Sequence, residues 1–258
     1  ATIADLLITM AIRGLDYTPP IHIRFPDFLS ALLTADSEVR ADDSVFDLRT
    51  ALRDSFASYG IAPRAAGTKE VPGRWDPFEE PLDRSGLHLV GLQTDETELF
   101  RLAWRNRDML GLNRTAFTRI ASVRPCVRVS PEDGFQLRET VVELTQYVRI
   151  EAAQLKDFGL VKPPDMKPEE ELSLEGGATL ILDEYGELKF NIGNALPSLD
   201  DTPADRRVHQ DRLDYLWHNG FIGKGRSTLS SRLGELHLRR ALHAACGTAA
   251  TDPAEAWT

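Results

Sequence analysis

Two short runs of apolar and β-forming residues, 178–182 and 187–192, flank the tetrapeptide Asp183-Glu184-Tyr185-Gly186. Glycine accepts the positive φ that tight reversals between antiparallel strands demand, so this stretch predicts a β-hairpin. Upstream the apolar period also shortens to two. Val123, Val127 and Val129 read as one strand. Residues 135–152 hold Leu137, Val141, Leu144, Tyr147, Val148 and Ile150, which favour a strand, but their spacing is mixed and a helix competes.

Helical spacing dominates elsewhere. Ile3, Leu6, Leu7, Met10 and Ile12 share a face that ends at Pro19-Pro20, because proline cannot continue a helix. A second helix is expected from Pro26 to Asp36, and a third after Asp42, Asp43 or Ser44, with Phe46, Leu48, Leu52, Phe56 and Tyr59 on its face. Further helices are expected over 95–110, 115–121, 204–218 and 227–245. Residues 63–87 carry five of the prolines or glycines Pro63, Gly67, Pro72, Gly73, Pro77, Pro81 and Gly86 within their first 15 positions, and they read as a strap or linker pinned by Trp75 and Phe78. The expected organisation is a helical segment over 1–62, the strap over 63–87 and a domain over 88–250. The fold class is α+β, an N-terminal helical segment plus a domain with a small antiparallel sheet.

The chain has 258 residues and a net charge of -10. Such a field repels phosphate and argues against broad nucleic-acid binding. No apolar run approaches the roughly 18 residues of a membrane span, so no membrane partner is expected and a cytoplasmic location follows. Cys126 and Cys246 are too few for a disulfide framework or a cysteine zinc site. The start at Ala1, within a helical pattern and without Met, suggests a trimmed chain.

Three pieces carry a family resemblance. Residues 12–19, Ile-Arg-Gly-Leu-Asp-Tyr-Thr-Pro, resemble the helix end and Tyr-Leu-Thr-Pro-like turn near the C-terminus of thermolysin-like zinc metallopeptidases. Residues 25–36 look like the helix that follows there, and residues 52–61 are similar to the closing helix, in the same order and spacing. The resemblance covers residues 2–62 and implies a helical lower lobe. It also implies a zinc held elsewhere by His-Glu-x-x-His and a downstream Glu, which would activate water.

That motif is not in this sequence. The histidines are His22, His88, His209, His218, His237 and His243, and no two are four apart. Gly220 to Thr228 is glycine-rich with Lys224 and Arg226, but it lacks the phosphate-loop order and reads as helix punctuation. Arg101, Arg105, Arg107, Arg114 and Arg119 surround Trp104, with Glu98 and Asp108 interspersed, as on a salt-bridged face. The acid pairs Asp42-Asp43 and Asp200-Asp201 suit caps. No residue is therefore assigned a catalytic, cofactor-binding or metal-ligating role, and no cofactor is expected in this chain, zinc belonging to the parent protein. The expected partners are the N-terminal catalytic region of that parent and a protein to be recruited. A stand-alone interaction module is the alternative reading.

Overall fold

The computed structural model describes residues 2–40, 42–88, 91–129 and 134–223. The fold is α+β, and its contacts divide it into two compact units. One comprises Ala1–Val148 with Leu174–Leu196, the other Arg149–Ser173 with Pro197–Thr258.

In the first unit, α1 (Thr2–Gly14) runs into a 3-10 turn, Leu15–Tyr17, and α2 (Phe25–Val39) follows the double proline. Pro26 sits in the first turn of α2, where its missing N–H costs no hydrogen bond. Gly14 lets α1 approach α2, since a Cβ there would lie 3.1 Å from Leu32 Cδ2. The third helix, α3 (Leu48–Ala57), begins later than its acidic cluster suggests. Asp43 still serves its first turn, accepting the Arg49 amide at 2.7 Å, whereas Asp42 turns to Ser44. Tyr59, expected on the buried face, points outward.

Residues 63–87 belong to this first unit. The Trp75 indole donates to Tyr17 O at 2.8 Å, and its amide donates to Thr34 Oγ1 at 2.8 Å. The Phe78 amide donates to Lys189 O at 2.8 Å, so the strap runs against a sheet strand. Val71 and Leu82 bury their side chains along it.

Next, α4 (Glu96–Arg105) is capped by Asp95, which accepts the amides of Thr97 and Glu98. It ends before residue 110 because Asn106 turns its amide back onto Leu102 O and Asp83 O. The sheet has the order β1 (Phe117–Val129), β2 (Gln136–Glu151), β3 (Glu171–Asp183), β4 (Leu188–Asn194). Antiparallel pairing joins β1 to β2 and β3 to β4, and the β3–β4 hairpin lies where the sequence predicts it. Gly186 takes a φ of 76°, and Asp183 Oδ1 accepts the amides of Tyr185 and Glu187.

Both faces of the sheet are covered. Val142, Leu144, Leu180 and Leu182 pack with Leu99 and Leu102 of α4. On the other face Val141, Ile181, Phe190 and Ile192 pack with Ala31 and Ala35 of α2 and with Tyr17. Neighbouring Val141 and Val142 are thus both fully buried. Double-sided burial explains the mixed apolar spacing of 135–152, which is strand and not helix. The expected helix at 115–121 is instead the start of β1. Asn113 accepts the amides of Thr115 and Ala116 and turns the chain into a strand that bulges between Ile120 and Ser122.

The second unit contains a 3-10 segment, Ala152–Phe158, and α5 (Pro203–His218), capped by Thr202. Leu155, Met166 and Leu213 are buried, and Trp217 Nε1 donates to Asp165 at 2.8 Å. The helix expected over 227–245 lies outside the described residues.

Candidate functional site

Three features of the first unit concentrate chemistry or surface. The most buried is a cluster of charges between the sheet and the helices. Glu139 of β2 lies in the interior and accepts from Tyr17 Oη at 2.6 Å, from Lys189 Nζ at 2.6 Å, and from the Arg128 guanidinium. Lys189 also pairs with Glu38 of α2, and Arg128 with Asp16 at 2.9 Å. Arg124 joins Glu143 at 2.9 Å and Asp16 at 3.3 Å. Counting these partners, Lys189, Arg124 and Arg128 face Glu38, Glu139, Glu143 and Asp16, with Arg74 at 3.7 Å from Glu38 as the fourth cation. Four cations meet four carboxylates.

With its charges paired, the cluster is suited to holding elements together. Burial, followed by the Glu139 charge, pushes Tyr17 well above its ordinary value, so its hydroxyl is a neutral donor. Burial also raises the Cys126 thiol, which weakens it as a nucleophile. The cluster ties the turn after α1 to the sheet, and every carboxylate in it has a cation. Arg124, Cys126 and Arg128 share one strand face with Glu139 opposite Cys126. The sequence signal would have been like charges four apart on one strand face, Arg124 and Arg128 on β1 and Glu139 and Glu143 on β2.

The second feature is a cleft of about 410 Å³ between α1, α2 and the end of β1. Leu6, Met10, Val39 and Val129 give it apolar walls, and Arg13, Arg40, Asp5 and Asp36 its charges. Asp36 is bound by Arg49 at 2.7 Å; burial nevertheless raises its carboxyl above the usual value.

The third feature is the outer side of α1. At 100° per residue, Ile8 and Ile12 lie 40° apart on one side of α1, and Leu15 continues that side in the 3-10 turn that follows. Met10 on the opposite side is buried, whereas Ile8 and Ile12 are 58% and 64% exposed.

The residues weighed in the sequence are dispersed. Among the described residues, no three of His, Cys, Asp and Glu are grouped to hold a metal ion. His209 lies 3.5 Å from Asp201, and the His88 amide donates to Glu98 at 3.1 Å. His237, His243, Cys246 and Lys224 to Thr228 lie outside the described residues. The arginines around Trp104 are engaged: Arg101 with Glu98 at 2.6 Å, Arg114 with both oxygens of Asp108, and Arg107 over the Trp104 ring. Among the described residues, no helix is long and apolar enough to cross a membrane.

No family model matches the chain, and no curated protein or solved structure matches it significantly.

Proposed function

We propose that this chain is the C-terminal, non-catalytic part of a zinc-metallopeptidase-like protein, serving as scaffold and as a recruiting region. The observation that carries the reading is the unpartnered apolar row Ile8, Ile12 and Leu15 on the segment that resembles the peptidase lower lobe. Full burial of each such side chain against a partner would contribute about 1.5–3 kcal/mol, so the row is a surface suited to permanent contact. In this reading α1 receives the catalytic region that precedes it in the parent protein, and the sheet-bearing part recruits substrate or a protein partner.

The coding sequence upstream of Ala1 tests the reading. A His-Glu-x-x-His with a downstream Glu is expected there; an upstream region without it overturns the peptidase parentage. In that event the α1 face belongs to a stand-alone interaction module. The isolated chain is expected to cleave no peptide and to hold no stoichiometric zinc, and metal analysis finding one zinc per chain would contradict this.

A further inference from the structure

We propose that the cleft between α1, α2 and the end of β1 binds a small molecule that joins one carboxylate to an apolar body, with Arg13 meeting the carboxylate. The inference stands on the cleft alone and is independent of the peptidase reading.

Arg13 stands apart from the other cations of this region among the described residues. Its Nη2 donates to Val129 O at 3.1 Å. Among the described residues no carboxylate lies within salt-bridge distance of it, whereas Arg24, Arg40, Arg49, Arg64, Arg124 and Arg128 each have one. Burial, and then the nearby charge of Arg128, lower its pKa, the smaller opposing pull of Asp36 notwithstanding.

Arg40 reinforces it from the protein side. Its side chain is 6% exposed, and Nη2 donates to Asp43 at 3.0 Å. Among the described residues its Nε and Nη1 have no hydrogen-bond partner, the Asp36 carboxylate standing 3.6 Å from Nε. A buried guanidinium left partly unpaired is costly, and an added negative charge nearby offsets that cost. Both nitrogens are closed to water, so Arg13 makes the direct contact and Arg40 contributes its field through a low-dielectric interior.

The opposing charges set the orientation. Asp36 is held by Arg49, and Asp5 lies eight residues before Arg13, about 12 Å along the helix axis. An anion is drawn to the Arg13 end and repelled from the Asp5 end. Leu6, Met10, Val39 and Val129 then offer the rest of the molecule an apolar wall, which an inorganic anion or water would leave wet.

Titration of the full chain with hexanoate, hexanol and acetate, followed by amide NMR shifts, tests the proposal. Hexanoate is expected to bind saturably and to shift α1 and α2 amides, with hexanol and acetate weaker by at least about tenfold. Arg13→Gln is expected to remove that preference over hexanol, and Arg119→Gln to keep it. Equal binding of hexanol and hexanoate, saturation without shifts in α1 and α2, or no saturable binding of hexanoate overturns the proposal. So does a folded Arg13→Gln chain that keeps the preference. The three-ligand comparison on the unaltered chain decides the matter even if the variant does not fold.

Discussion

Tyr17 and Glu139 stand 122 positions apart in the chain, and the Tyr17 hydroxyl donates a 2.6 Å hydrogen bond to the buried Glu139 carboxylate. The same carboxylate receives Lys189 and Arg128, and Arg128 lies 5.3 Å from the centre of the Tyr17 ring. The turn after α1, β1 and β4 therefore meet at one carboxylate of β2.

Removing that charge takes a partner from two cations at once, leaving Lys189 with Glu38 alone and Arg128 with Asp16 alone. Glu139→Gln is expected to cost about 3–5 kcal/mol, as for other broken buried ion pairs. Tyr17→Phe keeps the edge-on contact with Phe190 at 5.9 Å and loses only a hydroxyl, so about 1–2 kcal/mol is expected. Urea unfolding of both variants checks this. Equal losses would show that the carboxylate is not the centre of the cluster.

The cluster also sets an alkaline limit. Burial and then Glu139 raise Tyr17 well above 10.0; for Lys189, burial opposes the charge, but Glu139 and Glu38 outweigh it and raise it above 10.5. Each group holds its proton to higher pH in the folded chain than in the unfolded one. The stability they contribute is fully present below the unfolded values and falls as pH rises through them toward the folded ones. Each adds a slope of about 1.4 kcal/mol per pH unit in that window. Urea midpoints measured across about pH 9–11 are expected to fall, and to fall less steeply in Tyr17→Phe.

Glycine in the strap offers a separate test of packing. Gly67 has a φ of +74°, and a Cβ there would lie 2.4 Å from Gly73 N and Val71 O, both backbone atoms. Gly60 has a similar φ of +72° but open space around it. Gly60→Ala is expected to cost about 1 kcal/mol from backbone strain alone. Gly67→Ala is expected to cost more, about 2–3 kcal/mol, because the strap must shift. Thermal unfolding of the pair distinguishes the two contributions, and equal costs would mean that the turn at Gly67 yields freely.

The parts of the fold visible in sequence are those set by local rules. The turn at Gly186, the proline stop after α1 and the start of α2 at Phe25-Pro26 follow from backbone chemistry within a few residues. What sequence left open depends on distant partners. The β2 strand hid its period because both Val141 and Val142 are covered, one by α2 and Tyr17, the other by α4. The expected helix at 115–121 gave way to a strand because Asn113 serves a strand-entry turn, with Gln146 pairing to its backbone at 2.9 Å. The charge cluster and the cleft were invisible for the same reason: Arg13, Arg40, Arg128 and Glu139 acquire their meaning only when α1, α2 and the sheet come together.

The outer row of α1 is expected to matter for association and not for folding. Ile8 and Ile12 are more than half exposed, and the buried contacts of α1 run through Met10 and Leu6 on its other side. Replacing an exposed isoleucine on a helix removes little packing, so Ile8→Asp with Ile12→Asp is expected to change stability by less than about 1 kcal/mol. The same change places two charges in any interface that forms there, where each would lose its hydration without gaining a partner. Under the reading proposed above, co-expression with the upstream region of a parent protein is therefore expected to yield a complex with the native chain and none with the double variant. A complex that survives both substitutions would place the contact elsewhere, and a large loss of stability in the isolated variant would mean that this face already packs within the chain.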